Sequence, residues 1–185
     1  MSPTDGGSGE SQDITDGPPR EGSLSAAGRR WVICASRFNE FIVEKLIGGA
    51  LDALRRTGAG PRSVEIYRCP GAMELGGLAR RLVASGRFDG VICLGAVIRG
   101  ATPHFDLVVN EATRSIGTLA SEGSVAVAYG VIACDNIEQA VERAGTKAGN
   151  KGFDAAMVAI EMANLYARLD AAGAKSAQDL PRRTK

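Results

Sequence analysis

The sequence has little of several residue types that mark common classes of protein. Its 185 residues include one histidine, His104, and aromatic residues make up only 5% of the chain. Few aromatics argue against a surface that stacks nucleic-acid bases. The 22 basic and 21 acidic residues leave a net charge of +1, which argues against binding to nucleic acid or to an anionic membrane. A metal site needs clustered ligands, and one histidine with four scattered cysteines offers none.

Long apolar segments are also missing. The run VICLGAVI at 91–98 is far shorter than the roughly 18 residues that span a bilayer. The first residues lack the apolar core of a secretory signal. Three cysteines lie within apolar strand-like runs and Cys69 ends another, which favours buried, reduced thiols. These features predict a cytoplasmic protein with no membrane association.

The rest of the sequence alternates strand-like and helical patterns. Residues 1–28 predict a disordered tail, 29–170 one folded domain, and 171–185 a flexible C-terminal tail. The predicted strands are 31–36, 64–69, 90–98 and 124–132. The predicted helices are about 39–56, 73–85, 105–122, 135–144 and 150–169, with Asn39, Asp135 and Asn150 at their starts. Such alternation gives a parallel sheet with helices on both faces.

Residues that follow each strand carry the functional information, because parallel sheets bind ligands beyond the carboxyl ends of their strands. After the third predicted strand, Gly100-Ala101-Thr102 offers backbone N–H groups and a hydroxyl where a helix begins, an arrangement that suits an anion. His104 follows, and imidazole exchanges protons near neutral pH. From the residues alone, a phosphate site with a proton carrier and an ordinary surface turn with an idle histidine both stay open.

Other residues at this edge also allow two interpretations. Phe38 is placed either to stack on a flat heterocycle or to pack against its own helix. Arg143 is placed either to grip a phosphate with its guanidinium fork or to be solvated. Glu74 suits the first turn of a helix. A Ser-His-Asp triad is not indicated, because Asp106 lies only two residues from His104.

Four segments then occur in one order and at one spacing: RFN at 37–39, PGAMEL at 70–75, GAVIRGATPHFD at 95–106 and NIEQAVERAGTKAGNKG at 136–152. Together they closely resemble the 6,7-dimethyl-8-ribityllumazine synthase family of riboflavin biosynthesis. The resemblance implies a flavodoxin-like three-layer α/β/α sandwich with a central four-stranded parallel sheet. It implies a transferase that condenses 5-amino-6-(D-ribitylamino)uracil with 3,4-dihydroxy-2-butanone 4-phosphate, releasing phosphate and water, without metal or cofactor.

The same resemblance assigns site residues. His104 would be the proton carrier, and the butanone phosphate would be bound by Ala101, Thr102 and Arg143. The pyrimidine would be bound by Phe38, Ala72, Met73, Glu74, Ala96, Val97, Ile98 and Tyr129. The family usually has an aromatic residue at the position of Met73 and often phenylalanine at that of Tyr129.

The resemblance also implies assembly, with active sites between neighbouring subunits of a homopentamer. The short link AGTKAGNKG at 144–152 resembles that of members that form a 60-subunit icosahedral capsid, for which riboflavin synthase is a candidate partner. The long N-terminal tail could interfere with contacts near that shell surface. Two other functions stay open on this fold: a non-catalytic lumazine or flavin carrier, and an FMN electron carrier. The latter is disfavoured because no Ser/Thr-rich loop follows the first strand.

Overall fold

Four parallel strands form the centre of the molecule. In this computed structural model, which describes residues 17–178, the strands are β1 (Trp31–Ser36), β2 (Val64–Cys69), β3 (Gly90–Ile98) and β4 (Ala126–Cys134). Their order in the sheet is β2-β1-β3-β4. Every residue of β1 is buried, as expected for an apolar run that is covered on both faces. β4 is shifted by two residues from the predicted 124–132, because it pairs with β3 along its whole length, from Ala126 to Cys134.

Within residues 17–178, five α-helices cover the sheet. They are α1 (Glu40–Arg56), α2 (Leu75–Ala84), α3 (His104–Ser121), α4 (Ile137–Arg143) and α5 (Lys151–Gln178), and a single 3-10 turn, Ala72–Glu74, leads into α2. One buried cluster joins α1, α4 and α5 to one face of the sheet, and a second joins α2 and α3 to the other. The flavodoxin-like three-layer α/β/α sandwich is therefore confirmed. None of the helices within residues 17–178 is long and apolar enough to cross a bilayer.

Alternate residues of the central strands belong to the two buried clusters, one on each face of the sheet. On β3, Ile92 and Leu94 face α1 and α5, whereas Val91 and Cys93 face α2 and α3. The layers approach closely where α5 crosses α1, because a side chain at Gly152 would collide with the backbone carbonyl of Leu46. This dense packing holds the carboxyl ends of the strands in a fixed arrangement.

Two helix starts differ from prediction. Asn39 precedes α1 in the left-handed region, with φ 59°, and its side chain makes no capping bond. The side chain of Asn39 instead donates to the carbonyl of Ala96, 2.8 Å away at the end of β3. The cap of α4 is Asn136, not Asp135, and its side chain accepts from the backbone of Gln139. Asn150 accepts from the first N–H groups of α5, as predicted.

The predicted tails also differ from the structure. Residues 1–16 and 179–185 lie outside the described part of the chain. Within the supposed N-terminal tail, Ala26 is fully buried and Asn164 of α5 donates to the carbonyls of Ser23 and Ser25. Asn164 lies far from Ser23 and Ser25 in the sequence, so the composition of the N-terminal residues alone could not predict these contacts. At the other end α5 continues from Leu169 to Gln178, since the alanine-rich residues 170–178 favour helix.

Candidate active site

A cavity of about 570 Å³ opens beyond the carboxyl ends of the strands. This is a usual size for a small-molecule site. Most of the predicted site residues line it: Phe38, Ala72, Met73, Glu74, Ala96, Val97, Ile98, Thr102 and His104. The chain runs outward from β1 to β2 on one side and from β3 to β4 on the other. The cavity therefore lies at the point where the strand order reverses, which is where parallel sheets bind ligands.

One wall of the cavity is the turn between β2 and α2. Glu74 lies in this turn, and one of its carboxylate oxygens accepts from the backbone N–H of Gly71 at 2.8 Å. This hydrogen bond closes the turn and orients the carboxylate, while Glu74 as a whole remains exposed. Met73 beside it is also open to solvent, at 44% exposure. The turn thus presents one negative charge and one flexible apolar side chain to a ligand.

A second wall, next to this turn, carries an exposed aromatic ring. Phe38 is 69% exposed, so its ring is not packed against its own helix. The backbone N–H of Phe38 donates to the carbonyl of Pro70, and the next residue, Asn39, is bonded to Ala96. These bonds hold the short segment after β1 between β2 and β3. An exposed ring fixed in this way suits stacking on a flat heterocycle.

The third wall is the turn between β3 and α3. Gly100, Thr102 and His104 line the cavity, and His104 is the first residue of α3. Pro103, before it, makes no side-chain cap, and the backbone N–H of Asp106 already donates to the carbonyl of Pro103 at 3.1 Å. The N–H groups of His104 and Phe105 are therefore the ones that this 18-residue helix can offer to a ligand. Such a helix start favours an anion. Ala101 lies exposed in the same turn but does not line the cavity.

Arg143 lies away from this cavity. It ends α4, which packs through Ala140 against the α1 and α5 face of the sheet. The walls formed by Ala72 and the start of α3 belong to the α2 and α3 face. The guanidinium of Arg143 donates to the carbonyl of Gln139 in its own helix, at 3.2 Å. The single chain therefore does not bring Arg143 and His104 together.

Tyr129 is also remote from the cavity. Tyr129 pairs with Cys93 in the middle of the sheet, whereas Ala96 of the cavity wall pairs with Ile132, three residues further along β4. That offset is about 10 Å along a strand. Its phenol oxygen lies 3.0 Å from Oγ1 of Thr113, which is about 13 Å along α3 from His104. The ring is 40% exposed and so is open to a neighbouring molecule.

The thiols near the site are poorly suited to act as nucleophiles. All four cysteines are free and buried, as predicted. Burial raises the pKa of the Cys69 thiol to about 11, although Cys69 directly precedes Pro70 in the cavity wall. A hydrogen bond with Cys34, together with burial, raises the pKa of Cys93 well above its ordinary value. Residues 17–178 contain no group of three or more His, Cys, Asp or Glu side chains that could hold a metal ion.

Several structural residues of the site were not predicted from the sequence. Phe105 and Val108 line the cavity from α3. Val108 lies four residues after His104, a spacing that places two side chains on one face of a helix, so this spacing could have identified it. Phe105 directly follows His104 and has no such signal. Arg99 binds two carboxylates around the His104 turn. Neither this contact nor that of Asn39 with Ala96 follows from a local pattern, because each joins segments that meet only in the folded sheet.

Comparison with known proteins agrees with this geometry. A sequence model of the family described as 6,7-dimethyl-8-ribityllumazine synthase matches residues 28–167. The protein of that name from Chlorobium phaeobacteroides is 58% identical to this chain, in an alignment that covers 79% of this chain and 94% of the relative. The one from Chlorobium chlorochromatii is 54% identical, and the alignment covers 80% of this chain and 96% of the relative. The protein of that name in Chlorobaculum tepidum shares 51%, over 80% of this chain and 96% of its own. The chain therefore belongs to the 6,7-dimethyl-8-ribityllumazine synthase family, a family of riboflavin-biosynthesis enzymes, as its four motifs predicted.

Proposed function

We propose that this chain condenses 5-amino-6-(D-ribitylamino)uracil with 3,4-dihydroxy-2-butanone 4-phosphate to give 6,7-dimethyl-8-ribityllumazine, phosphate and water. Membership of the family supports the reaction. The observation that carries it is the cavity, where Phe38 and Glu74 face the turn that bears Thr102 and His104. A ring-binding side and a phosphate-binding side with a proton carrier are what this condensation requires.

The pyrimidine fits the side formed by the segments after β1 and β2. The ring of Phe38 stacks on the heterocycle, and the edge of β3 at Ala96, Val97 and Ile98 faces it. The carboxylate oxygen of Glu74 that is not bonded to Gly71 accepts from a hydroxyl of the ribityl chain. Met73, which replaces the aromatic residue usual in the family, adapts to the ring through its flexible thioether.

The butanone phosphate fits the start of α3. Thr102 offers its hydroxyl, the open N–H groups of the first turn offer partial positive charge, and Ala101 lies in the same turn. A doubly charged phosphate needs a further cation. Arg143 has the right chemistry but lies on the other face of its own sheet. A neighbouring copy therefore has to supply it, and Tyr129 with it.

This requirement supports a homopentamer with sites between subunits. Leu107, Ile137 and Tyr129 are exposed at 63%, 53% and 40%, and such apolar surface suits burial against another copy. We further propose that pentamers assemble into a 60-subunit capsid, because the link at 144–152 is short, with riboflavin synthase as a candidate partner. A cytoplasmic location fits the four free, buried thiols.

The reaction needs proton transfer and positioning. The 5-amino nitrogen attacks the ketone, and loss of water gives an imine. Loss of a proton from the hydroxyl-bearing carbon then eliminates phosphate and leaves an enol, which tautomerises to a ketone with a new methyl group. The ribitylamino nitrogen attacks this new carbonyl, and a second water leaves as the ring closes. His104 moves protons in the early steps, and Arg143 with the Thr102 turn stabilises the departing phosphate. Holding the two substrates side by side lowers the barrier by on the order of 7–11 kcal/mol in favourable cases.

The direct test mixes the purified full-length chain with both substrates and follows lumazine absorbance and fluorescence. We expect product well above the spontaneous rate, measured in parallel without protein. A rate equal to the spontaneous one would reject the reaction. Tight lumazine binding without turnover would identify a carrier, and a yellow protein loaded with FMN would identify an electron carrier. Light scattering on the same sample separates the pentamer from the 60-subunit capsid.

A further inference from the structure

Arg99, the residue directly after β3, forms a dense set of contacts beside the cavity without lining it. Its Nε donates to Asp135 at 3.1 Å, and its two terminal nitrogens donate to the two carboxylate oxygens of Asp106, each at 3.3 Å. The guanidinium also lies 4.0 Å from the centre of the Phe105 ring. This is the bidentate and stacked geometry for which arginine, unlike lysine, is suited.

These contacts join the two ends of the turn that carries Thr102 and His104. Arg99 precedes the turn, whereas Phe105 and Asp106 follow it in the first turn of α3. The backbone N–H of Arg99 donates to the carbonyl of Cys134 at 2.8 Å, which fixes Arg99 to the end of β4. The contact with Asp135 adds a second bond to the segment after β4. The turn is thus closed across its base and tied to the sheet.

The same contacts contribute little to global stability. The side chains of Arg99 and Asp106 are 43% and 56% exposed, and ion pairs with that exposure are screened by water. Asp135 is more exposed still. Their main effect is therefore local, because they restrict the conformations of residues 100–104. Restriction of a turn that binds a substrate affects the rate more than the folding equilibrium.

We propose that Arg99 is a positioning residue, which holds Thr102 and His104 in the geometry that the phosphorylated substrate needs. The inference rests on the proposed function. Arg99 does not bind the phosphate itself, since its guanidinium already faces two carboxylates and an aromatic ring. Lysine at this position would keep the positive charge but would lose the fork and much of the stacking. The effects of Arg99→Lys and Arg99→Met therefore separate positioning from simple charge.

The experiment compares the full-length wild type with Arg99→Met, Arg99→Lys and a matched control, Arg56→Met. Arg56 pairs with Asp52 at 2.8 Å and is 71% exposed in the last turn of α1, away from the cavity. For Arg99→Met we expect kcat to fall about 10- to 100-fold and the KM for butanone phosphate to rise, because small displacements of reacting groups have large effects on rate. The KM for the pyrimidine and the melting temperature should stay close to wild type. Arg99→Lys should resemble Arg99→Met, and Arg56→Met should resemble wild type.

Hydrogen exchange followed by mass spectrometry supplies a readout that needs no turnover. We expect amides of residues 100–106 to exchange about tenfold faster in Arg99→Met, with the rest of the chain unchanged. Unchanged exchange in this segment would overturn the proposal, and so would faster exchange with wild-type kinetics. If Arg99→Lys had wild-type kinetics while Arg99→Met was slow, the positive charge rather than the positioning of the turn would explain the effect, and the proposal would be wrong. A wild-type chain that makes no lumazine defeats the proposed function first, before any variant is compared.

Discussion

The two halves of the predicted site are placed very differently by the single chain. Segments that follow β1, β2 and β3 converge on one cavity, whereas Arg143 and Tyr129, from α4 and β4, lie away from it. The first half results from folding, because parallel strands bring their carboxyl ends to one edge of the sheet. In the proposed function, the second half reaches a cavity only when another copy is present. On that proposal, folding builds the ring-binding and proton-transfer side, and assembly adds the cation.

The largest effect is expected for the half supplied by assembly. Arg143→Ala removes the guanidinium that we propose balances the phosphate, so kcat/KM for butanone phosphate should fall on the order of 100- to 1000-fold. The KM for the pyrimidine should change little. Steady-state kinetics with each substrate varied in turn measures both values. Equal losses for the two substrates would contradict the assigned role and would weaken the comparison between the two halves.

A smaller effect is expected at the cavity itself. His104→Ala removes the proposed proton carrier, and kcat should fall about 100-fold, the lower part of the range for general acid–base catalysis. Activity should not vanish, because both substrates remain positioned side by side. Single-turnover measurements across pH 6 to 8 check the change. A variant with the wild-type rate would remove the imidazole from the mechanism.

The ring-binding wall should give a more selective loss. Phe38→Ala removes a ring that is largely exposed in the free chain, so the fold should be unaffected. The KM for the pyrimidine should rise about tenfold through lost stacking and apolar contact. The KM for butanone phosphate should stay within about twofold of wild type. Titration of the pyrimidine by fluorescence gives an independent value, and Phe38→Trp should retain binding.

The smallest response is expected from the thiol behind the cavity wall. With the pKa of Cys69 raised to about 11, the thiolate is on the order of 0.1% or less of the group at pH 7.5. Iodoacetamide should therefore leave Cys69 unmodified in the native protein and modify it after denaturation. Peptide mass spectrometry distinguishes the two states. Rapid native labelling would mean that the turn around Pro70 opens to solvent.

The sequence was most informative where one strand or helix determines the outcome. The apolar runs at β1, β2 and β3 gave the strand bounds that the structure shows, and the residues after them gave the cavity walls. Prediction failed where distant segments provide partners. Residues 23–26 pack against Asn164 and Trp31, which no local composition reveals. The sequence did not predict the bond from Asn39 to Ala96 or the contacts of Arg99, for the same reason.

Predicted roles depended on the resemblance more than on local physics. Glu74 and Arg143 each had an ordinary structural interpretation that the residues alone did not exclude. For Glu74 the structure shows the structural contact, because its carboxylate closes a turn, and it places the residue in the cavity wall, where the binding role stays a prediction. For Arg143 the single chain shows a structural contact, the bond from its guanidinium to the carbonyl of Gln139. Its proposed part in the site depends on a neighbouring copy, which a pattern along one chain cannot place.

The most direct test of a site shared between subunits is complementation between two inactive variants. His104→Ala and Arg143→Ala chains are co-expressed, and the mixed oligomers are purified. If each site takes His104 from one chain and Arg143 from its neighbour, about one quarter of the sites in an equal mixture are intact. The expected lumazine rate is then about one quarter of wild type, far above that of either variant alone. A rate no higher than the average of the two variants would contradict the account.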